Sequence, residues 1–404
     1  MVLGGVVSEV EESAVEKNSA IVETASPRGY THHIRTHRLC AAIVLATAAV
    51  LVSLGLFHRL TDREFISYGG GLAIQQGALS VWNKGTFAAE SFQAMHQQLL
   101  MQSAHCGCQY WQDVYGLGAD ERFYPVRALL LTAIAAPFVR IHEIAGLWIV
   151  NSLIFTGIVC TFFILNRSQT TRLASLVGTI GFVLGSGLVG YTYGIHYDLW
   201  ALLLLLLGLS FAGSHPVWAG FLLGLMIETR PTHALFLPLL ICAPRTEGSD
   251  ASTTQLWGAA SGVGAALLVI AYLNFSLWGS PLVTGFQRMP NYAGGQFFFS
   301  PGVELLNMQE LAKNWLDKLF GPVGLITSTP IILLALVGFA SWRSASGRFK
   351  FAVLGISFVH LLIFASSPNW ADAGNLVRYL LPNVALLALG LGPLFASVRS
   401  KSSS

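Results

Sequence analysis

Residues 40–57 read CAAIVLATAAVLVSLGLF, and residues 58–71, HRLTDREFISYGGG, follow them directly. The first stretch is an apolar run close to the roughly 20 residues that a helix needs to cross a bilayer. Two carboxylates, Asp62 and Glu64, lie within a few residues of its end, where an acid is costly unless it is solvated or used. The fold depends on whether such apolar runs recur along the chain.

The overall composition is that of a membrane protein. Of the 404 residues, 53% are hydrophobic and only 11% are charged, and the mean hydropathy is +0.60. A soluble globular domain carries about 25% charged residues. We therefore predict an integral membrane protein, and the small net charge of +3 gives no indication of a nucleic-acid partner.

Apolar runs recur through most of the chain, separated by short polar breaks, and they predict about ten transmembrane helices. The predicted spans are residues 39–57, 144–165, 172–190, 198–213, 216–229, 231–243, 255–275, 319–341, 350–367 and 379–397. The predicted fold class is thus an all-α integral membrane protein with multiple spans.

Positive charges near the span ends predict the orientation. Arg28, Arg35 and Arg38 precede the first span, and Lys and Arg are enriched in cytoplasmic loops. With both termini cytoplasmic, most of the predicted inner breaks also carry basic residues. The chain then divides into a disordered cytoplasmic tail over residues 1–38, a polytopic domain over residues 39–397 and a cytoplasmic tail over residues 398–404.

This topology leaves two long loops, residues 58–143 and 276–318, on the outer face. The first contains YGGGLAIQQGALSVW at residues 68–82 and ALLLTAIAAPF at residues 128–138, which are too short to cross and predict interfacial helices. One alternative concerns residues 216–243, which would invert every later loop if they formed a single tilted span. Pro in the middle of this stretch favours two short helices, because it cannot donate a backbone hydrogen bond.

Several stretches, in this order, carry a resemblance to a known family. They are LTDREFISYGGGLAIQQG at residues 60–77, FYPVRALLLTAIAAPF at 123–138, GFLLGLMIETRPTHALFLPLL at 220–240, AYLNFSLWGSPLVTGF at 271–286 and NWADAGNLVRYLLPNVALL at 369–387. Together they resemble the bacterial members of the GT-C class of multispanning glycosyltransferases, and the resemblance runs from about residue 39 to residue 397.

The resemblance implies a reaction and its partners. GT-C enzymes move a sugar from a polyprenyl-phosphate carrier to an acceptor at the outer face of the plasma membrane, and here the acceptor is a lipid, a glycan or a protein of the cell envelope. Membrane lipids are the other expected partners. No cofactor is indicated, and the involvement of a divalent metal is left open.

Transfer from a lipid phosphate needs a base for the acceptor hydroxyl and cations for the departing phosphate. Asp62 resembles the catalytic acid that the family places after its first span, and Glu64 is the second candidate. Each has a structural alternative, because Asp62 precedes a predicted helix as a favourable N-cap and Glu64 would lie in its first turn.

Arg378, Arg230 and Tyr379 are the predicted residues for the donor phosphate, since Arg offers a planar fork of donors. Arg378 can instead be a snorkelling anchor, and Arg230 can instead pair with a nearby acid, Glu228. His196 and Asp198 are candidates for binding the acceptor, with interfacial belt residues as the alternative.

Two other classes of function remain open from the sequence. A transporter or flippase of a lipid-linked substrate would also have many spans and interfacial cations, and a non-catalytic scaffold would use the long outer loops as partner surfaces. Transporters often contain broken helices in matching positions of internal repeats, and the sequence has one such break, at Arg230 and Pro231, without an evident counterpart.

The orientation is testable by cysteine labelling. Single cysteines at Ser346 and Asn291, in a background that lacks the native cysteines, are probed on intact cells with an impermeant thiol reagent. We expect labelling at position 291 and not at 346, because the basic residues place the latter inside. The reverse pattern would invert the predicted topology.

Overall fold

The structure, a computed structural model, is predominantly helical. It describes residues 43, 46, 50, 70–88, 115–193, 195–243, 253–288, 290–293, 296–299, 308–321, 324–342, 345–366 and 374–402. Asp62 and Glu64, the predicted N-terminal tail and most of the first predicted span lie outside these residues, as does much of both predicted outer loops.

Helices dominate the described residues. They are α1 Gly70–Lys84, α2 Leu129–Ile141, α3 Glu143–Arg167, α4 Arg172–Gly185, α5 Tyr197–Phe211, α6 Pro216–Thr229, α7 Leu239–Cys242, α8 Thr253–Trp278, α9 Met308–Phe320, α10 Leu325–Ser328, α11 Ile331–Ser341, α12 Gly347–Ala365, α13 Gly374–Ala388 and α14 Leu391–Ser402. Short 3₁₀ segments occupy Leu188–Tyr193, Pro231–Phe236 and Gly285–Arg288. Helix α14 continues into the predicted C-terminal tail.

Two small antiparallel hairpins interrupt the helical order, both within the loops predicted to lie outside. In the first, β1 Tyr115–Leu117 pairs with β2 Phe123–Pro125, with Tyr115 opposite Pro125. In the second, β3 Pro290–Ala293 pairs with β4 Gln296–Phe299. The helical class is confirmed, whereas the hairpins were not predicted, because each strand is too short for an alternating pattern to be recognised.

By length and composition, four helical stretches in the described part of the chain can cross a membrane. They are Ala145–Arg167, Thr253–Trp278, Gly347–Ala365 and Arg378–Ser397, and a bent pair, Trp315–Ser328 with Ile331–Ser341, would make a fifth. Helices α2, α4, α5 and α6 are apolar but shorter. The membrane character is therefore supported, and the count of ten spans stays a prediction.

Two predicted spans are less regular than the sequence indicated. Residues 231–243 form a 3₁₀ segment and the single turn of α7 rather than one helix, because Pro231 and Pro238 lack the N–H that a continuous helix requires. Residues 319–341 are broken as well, with a bend of 77° between Trp315–Ser328 and Ile331–Ser341. Pro330, at the N-cap of α11, falls in this break.

Side-chain caps mark the start of several helices. His142 Nδ1 accepts a hydrogen bond from the Ala145 amide at 3.2 Å at the start of α3. Ser346 Oγ accepts one from the Phe349 amide at 3.1 Å at the start of α12. Such caps satisfy amide groups that have no partner within the helix, so these helix boundaries have a local cause.

Helices α6 and α8 pack closely, and their packing depends on glycine. A Cβ atom at Gly220 would lie 2.0 Å from the carbonyl oxygen of Ala259, and one at Gly262 would lie 2.0 Å from that of Val217. Small residues let two helix backbones approach to contact distance, which is a main source of helix association in membranes. Helix α6, which ends at the break before Pro231, is thereby fixed against the long helix α8.

The first hairpin packs on the end of the same long helix. The Tyr124 and Trp278 rings meet edge to face at 5.8 Å between centroids, and the Ala119 amide donates to the Leu277 carbonyl at 2.9 Å. Trp278 is only 1% exposed. These contacts fix the hairpin, and with it the start of the segment that follows β2, against the end of α8.

The glycine packing makes a prediction about stability. Gly262→Ala is expected to destabilise the protein by about 1 to 3 kcal/mol, the usual cost of overpacking a close contact, because its methyl group meets a backbone carbonyl of α6. Gly264→Ala is the matched control, since nothing lies within 4 Å of a Cβ at that position. Thermal unfolding in detergent micelles measures both, and equal melting temperatures for the two variants would contradict the close packing.

Candidate functional site

Two residues of the site are placed by the start of α5. His196 adopts an extended conformation as the N-cap, and α5 begins at Tyr197 with Asp198 in its first turn. A carboxylate in the first turn is stabilised by the helix dipole. Tyr197 and Asp198 therefore both lie at the N-terminal end of an otherwise apolar helix, and Arg230 Nη2 donates to both side chains.

Arg230 is placed by the break between α6 and the following 3₁₀ segment. It is extended, with φ −157° and ψ 130°, as expected for a residue that precedes proline. His233 holds the break closed, because its Nδ1 lies 2.8 Å from Thr229 Oγ1 and 3.1 Å from the Met226 carbonyl oxygen. The sequence prediction of a break at Pro231 is thus confirmed, and the break directs the Arg230 side chain to α5.

One carboxylate pairs with two arginines. Arg230 donates from Nε and Nη2 to Asp198 Oδ1, both at 3.2 Å, and Arg378 Nε lies 3.0 Å from Asp198 Oδ2 in an ion pair. Arg230 and Asp198 are buried, at 4% and 2% exposure. The alternative of a pair between Arg230 and Glu228 is wrong, since Glu228 instead accepts from the Leu129 amide at the start of α2.

The Tyr197 hydroxyl is the second point on which the cations converge. It accepts hydrogen bonds from Arg230 Nη2 at 3.2 Å, Arg378 Nη2 at 3.1 Å and Arg127 Nη1 at 2.5 Å. A phenolic oxygen has only two lone pairs, so three guanidinium donors exceed what this atom can satisfy at once. At least one of the three guanidinium N–H groups therefore lacks a good acceptor among the described residues.

Aromatic rings line the arginine side chains. The Arg230 guanidinium lies 3.9 Å from the centroid of the Tyr379 ring, and Arg378 donates to the Tyr379 hydroxyl at 3.2 Å. Phe364 also stacks on the Tyr379 ring, with ring centroids 5.0 Å apart. These contacts favour the guanidinium groups through the negative ring face and restrict their orientation.

We call Arg127, Tyr197, Asp198, Arg230, Arg378 and Tyr379 the arginine cluster. Its formal charge is +2, because three guanidinium groups face one carboxylate. Arg230 is buried, and Arg127 and Arg378 are partly buried. Because charges removed from water are costly unless they are paired, the excess of two positive charges favours an anionic ligand. Among the described residues, no group of three or more His, Cys, Asp or Glu side chains is arranged to hold a metal ion.

The structure brings together four of the predicted site residues: Arg230, Arg378, Tyr379 and Asp198. His196 adjoins them in the chain, and its ring meets the Tyr191 ring edge to face at 5.2 Å. Burial lowers the pKa of His196 to about 4, so the imidazole is neutral near pH 7. Asp62 and Glu64 lie outside the described residues.

Sequence reasoning did not select Arg127 and Tyr197. Arg127 stands next to an apolar segment within FYPVRALLL, and Tyr197 lies beside the selected pair in GIHYDLW. The signal that could have found Arg127 is its position before a buried helix, where a charge requires a partner. Tyr197 carried no comparable signal, because tyrosines are common at membrane interfaces.

Comparisons of the chain with protein-family models, with curated proteins and with solved structures find no match.

The shared carboxylate makes a prediction about stability. Asp198→Asn removes the negative charge between Arg230 and Arg378, and breaking a buried pair from one side costs about 3 to 5 kcal/mol. The control is Arg122→Gln, which removes an exposed ion pair with Asp120 of the kind that contributes about 0 to 1 kcal/mol. We expect a large fall in melting temperature in detergent for the first variant only. Parental stability in Asp198→Asn would exclude Asp198 as the anchor of the cluster.

Proposed function

We propose that this chain is a membrane glycosyltransferase of the GT-C type, which transfers a sugar from a polyprenyl-phosphate carrier to an acceptor at the outer face of the plasma membrane. The observation that supports it best is the arginine cluster, in which three guanidinium groups converge within an apolar helical protein. A lipid-linked phosphate supplies both the negative charge that this cluster lacks and the apolar chain that a membrane accommodates.

The wider architecture belongs to the same proposal. About ten spans, with the shorter helices α4, α5 and α6 counted among them, would return both termini to the cytoplasm. The long loops before α3 and after α8 would then lie outside, and α1 and α2 would lie at the membrane surface. Arg127, at the start of α2, would reach the cluster from that surface, where a carrier phosphate resides.

The reaction assigns a role to each predicted group. The bond between the anomeric carbon of the sugar and the carrier phosphate oxygen breaks, and its electron pair stays on the phosphate. The acceptor hydroxyl oxygen bonds to that carbon, and its proton passes to a carboxylate, for which Asp62 is the first candidate and Glu64 the second. The negative charge that develops on the phosphate is stabilised by Arg230 and Arg378, which Asp198 and Tyr379 hold in place.

Asp198 and His196 have different positions relative to this reaction. Asp198 Oδ1 accepts a hydrogen bond from Arg230, and Oδ2 forms an ion pair with Arg378. We therefore assign Asp198 to orienting the cations rather than to binding the acceptor. Among the residues that the structure describes, no hydrogen bond joins the His196 side chain to the cluster, and His196 remains the candidate for contact with the acceptor. The acceptor is a lipid, a glycan or a protein.

The test is a transfer assay with the purified protein and a panel of polyprenyl-phosphate sugars, in which released polyprenyl phosphate is detected. Release that depends on an added acceptor supports the transferase. Movement of the lipid across a vesicle membrane without cleavage would favour a transporter or flippase instead. If neither transfer nor lipid movement is detected, the remaining interpretation is a non-catalytic role.

The catalytic acid is tested in the same assay. Asp62→Asn keeps a good N-cap and removes the basicity, so we expect turnover to fall by roughly 10²- to 10⁴-fold with stability and donor binding retained. Glu64→Gln is the matched control. A dead Glu64→Gln beside an active Asp62→Asn would make Glu64 the base, and full activity in both would remove this segment from catalysis.

A further inference from the structure

The charge of the cluster can be compared with the two phosphate species in the proposed reaction. Arg230 and Arg378 against Asp198 give +1, and Arg127 raises the sum to +2. The donor is a phosphodiester with one negative charge. The released carrier is a phosphomonoester, which carries about −1.5 to −2 near pH 7 because its second pKa is about 6. The complete cluster therefore matches the released phosphate better than the donor.

Arg127 is the residue that makes this difference, and its guanidinium contacts two aromatic residues. It lies 5.2 Å from the centroid of the Tyr197 ring and 4.6 Å from that of Phe286, while Nη1 donates to the Tyr197 hydroxyl. Arg127 Nε is buried and has no hydrogen-bond partner among the described residues. The guanidinium of Arg127, the third cation, is thus held in position, and its Nε–H is available to a ligand.

The backbone after Arg127 is fixed as well. Ala128 is fully buried and adopts a left-handed conformation, with φ 53° and ψ 41°, which is unusual for a residue other than glycine. The next amide, that of Leu129, donates to Glu228 Oε1 at 2.5 Å. Glu228 lies two positions before Arg230. The end of α6 therefore carries Arg230 and also fixes the backbone that follows Arg127.

We propose that the arginine cluster selects for a doubly charged phosphate headgroup, binding a lipid phosphomonoester in preference to a lipid phosphodiester, and that Arg127 supplies the discrimination. This rests on the proposed function and extends it. A site that matches the released phosphate stabilises the charge that develops as the glycosidic bond breaks. As a consequence of this selectivity, the released carrier phosphate competes with fresh donor for the site and dissociates slowly.

The experiment compares two probes that differ in one charge. Farnesyl phosphate is the phosphomonoester and methyl farnesyl phosphate is the phosphodiester, and their binding to the full-length protein in detergent is measured by calorimetry at pH 7.5. We expect the monoester to bind about tenfold tighter or more, since one added charge-assisted contact strengthens binding by at least that factor.

Variants test the role of Arg127. Arg127→Gln should lower the ratio of the two affinities towards one, because loss of one positive charge weakens binding of the doubly charged monoester more than that of the singly charged diester. Arg127→Lys should keep part of the preference, because it retains the charge but not the planar fork. The control is Arg122→Gln, which removes an exposed arginine from the preceding hairpin and should leave the ratio unchanged.

A measurement at pH 5 requires no variant. The monoester is then mostly singly charged, so its advantage should shrink by several-fold, with the diester as the reference. The titratable groups of the protein near the cluster are Tyr191, His196, Tyr197, Asp198, Glu228 and His233. Their charges act on both probes, which is why the diester is the reference.

The outcomes separate this inference from the proposed function. Equal binding of the two probes at pH 7.5 would overturn the selection while leaving a phosphate site in place. An unchanged preference in Arg127→Gln would assign the discrimination to other residues and remove Arg127 from it. Binding of neither probe would count against both the inference and the lipid-phosphate site itself.

Discussion

The structure depends most on the balance of charge around Asp198. Two guanidinium groups reach this one carboxylate from different parts of the chain, Arg230 from the break after α6 and Arg378 from α13. In an apolar bundle a carboxylate that lost these partners would be strongly destabilising. The ion pairs therefore tie three elements to one point, and the hydroxyl of Tyr197 adds a fourth through Arg127.

The helix break that carries Arg230 is possible because its surroundings are rigid. Helix α6 is clamped to α8 by the glycine contacts, and the break itself is closed by the buried hydrogen bonds of His233. An unwound segment in a membrane protein must satisfy its polar groups internally. Here the contacts of His233 with Thr229 and the Met226 carbonyl satisfy part of this need. The same segment directs a cation inward, so the irregular backbone and the site are one feature.

The segment between the first hairpin and α2 connects the cluster to the part of the chain predicted to lie outside. The hairpin packs against Trp278 at the end of α8, and the Arg127 guanidinium contacts both Tyr197 and Phe286. Phe286 belongs to the 3₁₀ segment that follows α8. Elements that are distant in sequence thus meet around one guanidinium group, and the hairpin fixes where α2 begins.

The sequence by itself determined the membrane class, the position of most described helices and the break at Pro231, because hydropathy and the missing proline N–H act locally. It also selected Arg230, Arg378 and Asp198, since a charge beside an apolar run is conspicuous, and Tyr379 as the neighbour of Arg378. It did not predict the short hairpins, the irregular form of residues 231–243 or the bend within residues 319–341. Only the tertiary structure decided that Asp198 pairs with both arginines and that Tyr197 and Arg127 complete the cluster. Pairing between residues up to 181 positions apart depends on how the helices pack, and it leaves no local pattern in the sequence.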